Sequence, residues 1–181
     1  MIDPRNYNIE ETLRNGTVVT VRAVRPGDGG KIRKAFRNLE RETIYRRFFG
    51  QKSEVTDAEL ERITGVDFER DVQLLVTIGH GEAKTVIGEA SYFATDAAAP
   101  DRSAELAFTV EEDYQGLGIA SSLMRHLVRI ARQTDLARFE ADVLTRNRPM
   151  LSVFQRSGLP ITLRYDGDVV HVTLALPPAA E

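Results

Sequence analysis

Cysteine is absent from the 181-residue chain. That absence removes disulfides, thiolate zinc sites and any cysteine nucleophile, and it agrees with a reducing cytoplasm. No apolar run is long enough to cross a bilayer, and Met1-Ile2-Asp3-Pro4-Arg5 does not begin a signal-peptide core, so a cytoplasmic protein without a membrane partner is expected. Net positive charge is lacking too: the balance is -3, which argues against a general binder of nucleic acid or anionic membranes while leaving room for a local basic groove around a polyphosphate. The three histidines, His80, His126 and His171, fall in a turn, a helix and a strand with no metal-ligand spacing, and no metal site is expected. There is no internal repeat and no linker.

What is present suits one domain with a sizeable core: 42% hydrophobic and 28% charged residues over this length are ordinary for a globular chain. Residues 1–16 read as a loose lead-in, 17–176 as the domain and 177–181 as a frayed tail. Thr17 to Val24 alternates and is β-branched, the pattern of a strand. Arg25-Pro26-Gly27-Asp28 is a turn, with Asp28 as N-cap of a helix to about Leu39. A short helix follows over Glu42 to Phe49, and Thr56-Asp57-Ala58-Glu59 resembles a capping box opening another. Asp71 to Ile78 and Val86 to Thr95 read as strands, residues 96–101 as a loop, Arg138 to Thr145 as a strand, Arg148 to Ser157 as a helix, and Ile161 to Tyr165 with Val169 to Leu176 as a hairpin around Asp166-Gly167-Asp168. The order β-αα-β-β-β-α-β-α-β-β predicts an α/β (α+β) single domain: a mixed, mostly antiparallel sheet with helices on both faces.

The chain is organised around Ser103 to Thr134. It starts with Leu106, Phe108 and Val110 on one face, the period of a strand, and ends with the stripe Ile119, Leu123, Leu127 and Ile130, the period of a helix. Between them lies Gln115-Gly116-Leu117-Gly118-Ile119-Ala120. Glycine allows a tight turn and lets an anion approach the backbone, and the first N–H groups of a helix carry the positive end of its dipole. Strand, glycine turn and helix N-terminus form a candidate phosphate cradle. Three readings stand: a turn with no ligand, a dinucleotide fingerprint through Gly116-x-Gly118-x-x-Ser121, or another phosphate ligand. The dinucleotide fingerprint wants an acidic residue at the end of the next strand, where this chain has Leu144-Thr145-Arg146.

Gln115 to Ala120 resembles the Q/R-x-x-G-x-G/A signature of the GNAT superfamily of acyl-CoA-dependent N-acyltransferases. Asn147-Arg148-Pro149-Met150-Leu151-Ser152-Val153-Phe154-Gln155-Arg156-Ser157-Gly158-Leu159 is similar to that family's N-x-x-A-x-x-L-Y-x-x-x-G-F segment, in the right order and at the usual separation. The resemblance implies acetyl-CoA as co-substrate, with Phe108, Thr109, Val110, Gln115, Gly116, Leu117, Gly118, Ile119, Ala120, Ser121, Asn147 and Phe154 as cofactor-binding residues. A closer resemblance runs through Thr43 to Phe49, Asp57 to Thr64 and Val66 to Arg70, which look like the acceptor-side half of the Pat-type bacterial protein lysine acetyltransferases. That group often carries a cyclic-nucleotide-binding or synthetase-like domain, and neither is present in this sequence. It implies a protein acceptor, an acyl-CoA synthetase for instance, with Tyr45, Arg46 and Asp67 as substrate-binding candidates. The rivals are a small amine (a polyamine, amino acid or antibiotic) and a non-catalytic acyl-CoA sensor.

A lysine or alkyl ammonium titrates near 10.4, so at neutral pH it needs a proton acceptor before it can attack a thioester. Ser103-Ala104-Glu105-Leu106-Ala107-Phe108 matches the A-E-x-A-F/V strand that carries the base in Pat-type enzymes, which makes Glu105 the candidate; an exposed or salt-bridged structural glutamate is the alternative. Phe154 stands where many GNAT enzymes have a proton-donating tyrosine. Asn147 reads equally as a cofactor contact or as a helix N-cap. Arg41, Arg46 and Arg47 form a basic cluster better read as a solvated helix face, and Tyr45, Phe48 and Phe49 are better read as core than as substrate wall. Because no cysteine is available to hold an acetyl group, and Ser121 lacks an adjacent base in the motif, transfer is expected in a ternary complex. Initial-rate lines in a two-substrate experiment should intersect. Parallel lines, or an acetylated enzyme isolated without acceptor, would contradict direct transfer.

Overall fold

The computed structural model describes residues 1–95 and 101–177. The expected loop over 96–101 and the expected frayed tail over 177–181 therefore lie, apart from Asp101 and Pro177, outside the described residues. The strands are β1 (Asn8–Thr12), β2 (Val18–Ala23), β3 (Asp71–Ile78), β4 (Thr85–Ala94), β5 (Ser103–Val110), β6 (Arg138–Leu144), β7 (Ile161–Asp166) and β8 (Val169–Ala175). The helices are α1 (Gly29–Arg37), α2 (Arg41–Phe48), α3 (Asp57–Thr64), α4 (Ile119–Ala131) and α5 (Arg148–Gln155). One sheet holds all the strands among the described residues in the order β1-β2-β3-β4-β5-β6-β8-β7, antiparallel throughout except for β5 beside β6. This is the mixed, mostly antiparallel sheet that the sequence predicts.

Period-2 alternation divides the core between the two faces. Leu74 and Val76 of β3 join a large cluster with Leu123, Leu127 and Ile130 of α4, and Phe154 of α5 packs there too. Leu75, one residue out of phase, faces Ile32 and Phe36 of α1, Ile44 of α2 and Leu60 of α3. A strand covered on both faces reads as a nearly continuous apolar run, as Val72 to Val76 does apart from Gln73. In α4 the stripe Ile119, Leu123, Leu127 and Ile130 is buried, while Arg125 and Arg129 are exposed. The capping box before α3 forms as expected: Glu59 N–H donates to Thr56 Oγ1 at 3.2 Å, and Thr56 N–H to Glu59 Oε2 at 2.8 Å.

The segment expected to be a loose lead-in is instead fastened to the sheet. β1 pairs antiparallel with β2 from Asn8↔Arg22 to Thr12↔Val18, and Tyr7 and Leu13 are buried. Its sequence Asn-Ile-Glu-Glu-Thr contains one apolar residue, so hydrophobic alternation could not reveal it. Polar contacts hold it to α4. Glu11 accepts from Ser122 Oγ and lies 2.8 Å from His126 Nε2, while the Tyr7 hydroxyl lies 2.5 Å from His126 Nδ1. Burial holds the His126 imidazolium below its ordinary pKa despite Glu11 beside it.

Asp28 also differs from expectation. It precedes α1 but makes no side-chain cap there. Its carboxylate accepts from both terminal guanidinium nitrogens of Arg22 at 2.8 Å and from the Arg25 N–H at 2.6 Å. Both side chains are about 95% buried, with relative exposures of 5% and 6%. Burial pushes the Asp28 carboxyl up, but Arg22 and the Arg25 amide outweigh it and leave it below the ordinary aspartate value. Removing one partner of a buried pair leaves the other charge uncompensated, so Asp28→Ala should cost about 3–5 kcal/mol in denaturant unfolding. Because the folded pKa is depressed, the contribution of Asp28 should be complete above about pH 4 and lost as acid carries the pH below it. The wild type and Asp28→Ala should therefore converge in stability toward low pH; a gap that persists there would contradict the ion-pair account.

Candidate active site

The site begins where two strands part. β5 and β6 share register only at Ser103↔Arg138, Ala104↔Phe139 and Glu105↔Glu140. β5 continues against β4 as far as Gly88↔Val110, and β6 continues against β8 as far as Leu144↔Val169. The edge of β5 beyond Glu105 is therefore left without a neighbouring strand on that side. A cavity of about 670 Å³ occupies the gap, with Glu105 to Val110 on one wall and Ala141 to Val143 on the other.

At its far end stands the glycine turn. Gly116 has φ of +77° and Gly118 φ of +92°, both in the left-handed region that side chains disfavour, and α4 starts at the next residue. Ser122 N–H returns to Gly118 O at 3.0 Å, so the N–H groups of Ile119, Ala120 and Ser121 precede the first intrahelical bond and point out of the helix end. The Gln115 side chain braces the turn, donating to Val110 O at 3.0 Å and to Thr43 Oγ1 of α2 at 3.4 Å. The sequence reading missed Arg14. It lies in the β1–β2 connection, lines the same cavity, and brings its Nε within 3.5 Å of where a Gly118 Cβ would stand. The hairpin itself was signalled by Asn15-Gly16 ahead of Thr17-Val18-Val19, with Gly16 at φ of +85°, but that signal does not single out Arg14.

A second cavity, of about 360 Å³, lies on the other face of the sheet between β3, β4, β5 and the α1–α3 layer. Glu105, Ala107 and Thr109 point into it, in register with Phe93, Ser91 and Glu89 of β4. Glu89 accepts from Gln73 Nε2 at 3.0 Å and from Thr109 Oγ1 at 3.2 Å. Glu111 lies on the same cavity; burial first, then Asp113, Glu112 and Glu40, raises its carboxyl above the ordinary glutamate value. Glu105 is exposed and lines both cavities, at the last residue before β5 and β6 separate.

Of the residues that the resemblance marks for the cofactor, Phe108, Thr109, Val110, Gln115, Gly116, Gly118, Ile119, Ala120, Ser121, Asn147 and Phe154 line the larger cavity, and Leu117 does not. Phe154 is buried and meets Phe108 edge to face, with ring centroids 5.8 Å apart. Asn147 takes up the cap: its Oδ1 accepts from the Met150 N–H at 3.4 Å, ahead of Pro149 in the first turn of α5.

The acceptor-side candidates are scattered. Arg46 lines the larger cavity and pairs with Glu42 at 3.3 Å, whereas Tyr45 lines neither cavity and lies under the Arg146 guanidinium at 5.0 Å. Asp67 is not brought to the site. Burial opposes its charge, yet the N–H groups of Arg70, Asp71 and Glu69 hold its carboxyl below the ordinary value, and its carbonyl accepts from Arg5. It organises its own loop. The expectation that Phe48 and Phe49 are core fails as well. They are 37% and 38% exposed, Phe48 lines both cavities, and Phe49 ends α2 with φ of +55°. The surface of Phe48 is covered by cations, with Arg47 at 4.7 Å and Lys52 at 5.3 Å from its ring centre.

The sequence model described as "Acetyltransferase (GNAT) family" matches residues 36–159. The chain is 35% identical over 166 residues to Acetyltransferase Pat of Mycolicibacterium smegmatis, a match covering 92% of this chain and 48% of that protein. The chain thus spans about half the length of that relative. The GNAT domain of S. lividans PAT superposes with a TM-score of 0.85 at 30% identity, covering 97% of this chain and all of that one. Spermidine N-acetyltransferase from Vibrio cholerae, solved with CoA and spermine, shares the fold at a TM-score of 0.63 and 19% identity, covering 87% of this chain and 95% of that one.

Asn147 offers a direct check on the local geometry. Losing an N-cap costs about 1 kcal/mol, and serine retains an acceptor oxygen for the same bond. Asn147→Ala should lower unfolding stability by about that amount, and Asn147→Ser by clearly less. Equal losses in both variants would show that the cap is not what Asn147 contributes.

Proposed function

The chain belongs to the acetyltransferase (GNAT) family, and from that premise we propose that it transfers acetyl from acetyl-CoA to a lysine Nε on a protein, with Glu105 as the base. The observation that carries this reading is the position of Glu105, at the parting of β5 and β6 and on both cavities at once. The larger cavity suits the cofactor. An unpaired strand edge offers backbone partners to the amides of a pantetheine arm, and the left-handed glycine turn and the start of α4 offer N–H groups to a pyrophosphate. The smaller cavity suits an aliphatic ammonium. It combines apolar residues from α1 and α3 with Glu89, Glu105 and Glu111, and a cation beside Glu111 would oppose the burial and the neighbouring carboxylates that raise its carboxyl.

In the reaction the acceptor ammonium gives a proton to Glu105, directly or through water, and the freed amine attacks the thioester carbonyl. A C–N bond forms, the C–S bond breaks, the nitrogen gives up its second proton to reach the neutral amide, and coenzyme A leaves as a thiolate that takes one up. The parent thiol titrates near 8.5, so this leaving group needs less help than the nucleophile does. A protein acceptor is favoured by the likeness of the α2–α3 region to Pat-type protein lysine acetyltransferases, and an acyl-CoA synthetase is the first acceptor to test. A small polyamine is the rival, as a fold shared with a spermidine N-acetyltransferase allows.

Glu105→Gln keeps the shape and removes the basicity. The chemical step should slow by about a hundred- to ten-thousand-fold, while acetyl-CoA affinity measured by calorimetry stays close to wild type. The wild-type rate should rise with pH as base or acceptor deprotonates. Unchanged turnover in Glu105→Gln would remove its role as base. A wild type that binds acetyl-CoA but transfers to no amine would favour a sensor, and faster turnover of free polyamines than of every protein tested would favour the small-amine reading.

A further inference from the structure

We propose that Arg14, at the tip of the β1–β2 hairpin, grips the pyrophosphate of the acyl-CoA held at the glycine turn, so that the phosphate site is built from both the N-terminal hairpin and the start of α4. This inference rests on the acetyl-CoA reading above. The guanidinium stands directly over the turn: a Cβ on Gly118 would lie 3.5 Å from Arg14 Nε, 3.8 Å from Cζ and 3.9 Å from Nη2. Among the described residues it has no hydrogen-bond, ion-pair or ring partner. It therefore sits, uncompensated, beside the positive end of the α4 dipole. Two positive groups facing each other repel until an anion comes between them, and a pyrophosphate supplies that anion. The amides of the turn give single N–H donors; a guanidinium adds a planar fork that can meet phosphate oxygens in pairs.

The tip is also held in place beforehand. Leu13 N–H donates to Thr17 O at 2.8 Å, Gly16 N–H to Leu13 O at 2.9 Å, and Thr17 N–H to Asn15 Oδ1 at 3.0 Å. Behind it, Glu11 and Tyr7 bind Ser122 and His126 of α4, the helix whose first turn forms the cradle. Hairpin and cradle are thus fastened to each other through hydrogen bonds, which lowers the ordering cost of binding. Gly118 leaves the wedge between them clear.

The test is calorimetric titration of wild type, Arg14→Ala and Arg14→Lys with acetyl-CoA and with acetyl-3′-dephospho-CoA, which retains the pyrophosphate. Because Arg14 is exposed and without a partner, the melting temperatures of all three proteins should agree. Arg14→Ala should bind both ligands about ten- to a hundredfold more weakly, the range expected for lost hydrogen bonds to a charged group. Arg14→Lys should recover part of the loss, and added salt should narrow the gap between wild type and alanine variant. Equal affinity of Arg14→Ala and wild type for both ligands would overturn the proposal. So would a loss seen with acetyl-CoA alone, which would place Arg14 on the 3′-phosphate. If the wild type itself bound neither ligand, the acetyl-CoA reading would fail first and take this inference with it.

Discussion

The structure depends on a sheet that is not allowed to close. β5 and β6 are the parallel pair, and they stay together for three residues before each continues with its antiparallel partner. Parallel strands need a crossover, and here α4 supplies it, rising from the glycine turn at the end of β5 and returning to the start of β6. The proposed site follows from that parting. It leaves a strand edge with backbone groups to satisfy, aims the start of α4 at the same gap, and brings Glu105 to a point open to both faces. The two faces carry different cavities, and period-2 alternation along β5 sets Leu106, Phe108 and Val110 out of phase with Glu105, Ala107 and Thr109.

A second constraint ties the N-terminal hairpin to that arrangement. With its one apolar residue, β1 contributes little burial of its own, so its place depends on pairing with β2 and on a polar cluster. Glu11 sits between Ser122 and His126, and Tyr7 closes the cluster from the other side of the imidazole. A buried polar cluster stabilises only when its members are satisfied, and this one is. The neutral histidine suits it: the Tyr7 hydroxyl can donate to Nδ1 while Nε2–H donates to Glu11. The cost of desolvating the Glu11 carboxylate is offset by its hydrogen bonds to Ser122 and His126, and those same bonds fasten the hairpin to α4.

Much of the fold was legible because the central elements carry strong periodic signals. The α4 stripe, the β3 and β4 runs, the α3 capping box and the β7–β8 hairpin could each be read from the residues alone. What escaped was set by tertiary pairing rather than by pattern. β1 is a strand because β2 offers it an edge, a fact absent from Asn-Ile-Glu-Glu-Thr. Asp28 has the residue type and position of a cap, but a buried guanidinium six residues earlier competes for the same oxygens and wins. Phe48 and Phe49 look like core by composition, yet α2 ends against a cavity, and cations cover the ring of Phe48. Asp67 looks like a surface charge awaiting a partner, while its loop has already taken its oxygens. At the site the glycine turn was legible because an unusual backbone demands a particular residue. Arg14 was not, because an exposed arginine acquires meaning only from what folding sets beside it.

Phe154 shows where the chemistry places its demand. A tyrosine at this position could protonate the departing sulfur, but here the ring is fully buried against Phe108 and contributes packing. The two proton transfers differ in difficulty. Freeing a lysine amine at pH 7 from an ammonium titrating near 10.4 costs about 4.6 kcal/mol, whereas a thiol titrating near 8.5 leaves about 2 kcal/mol between its two forms at that pH. In the proposed reaction the larger demand lies with the nucleophile, and the cavity assigned to it is lined by Glu89, Glu105 and Glu111. On that reading a carboxylate there would do two things before any bond forms: attract the ammonium and stand ready to receive its proton. At the position of a donating tyrosine the chain offers only the packed Phe108–Phe154 pair, so in the proposed reaction the thiolate's proton would come from solvent.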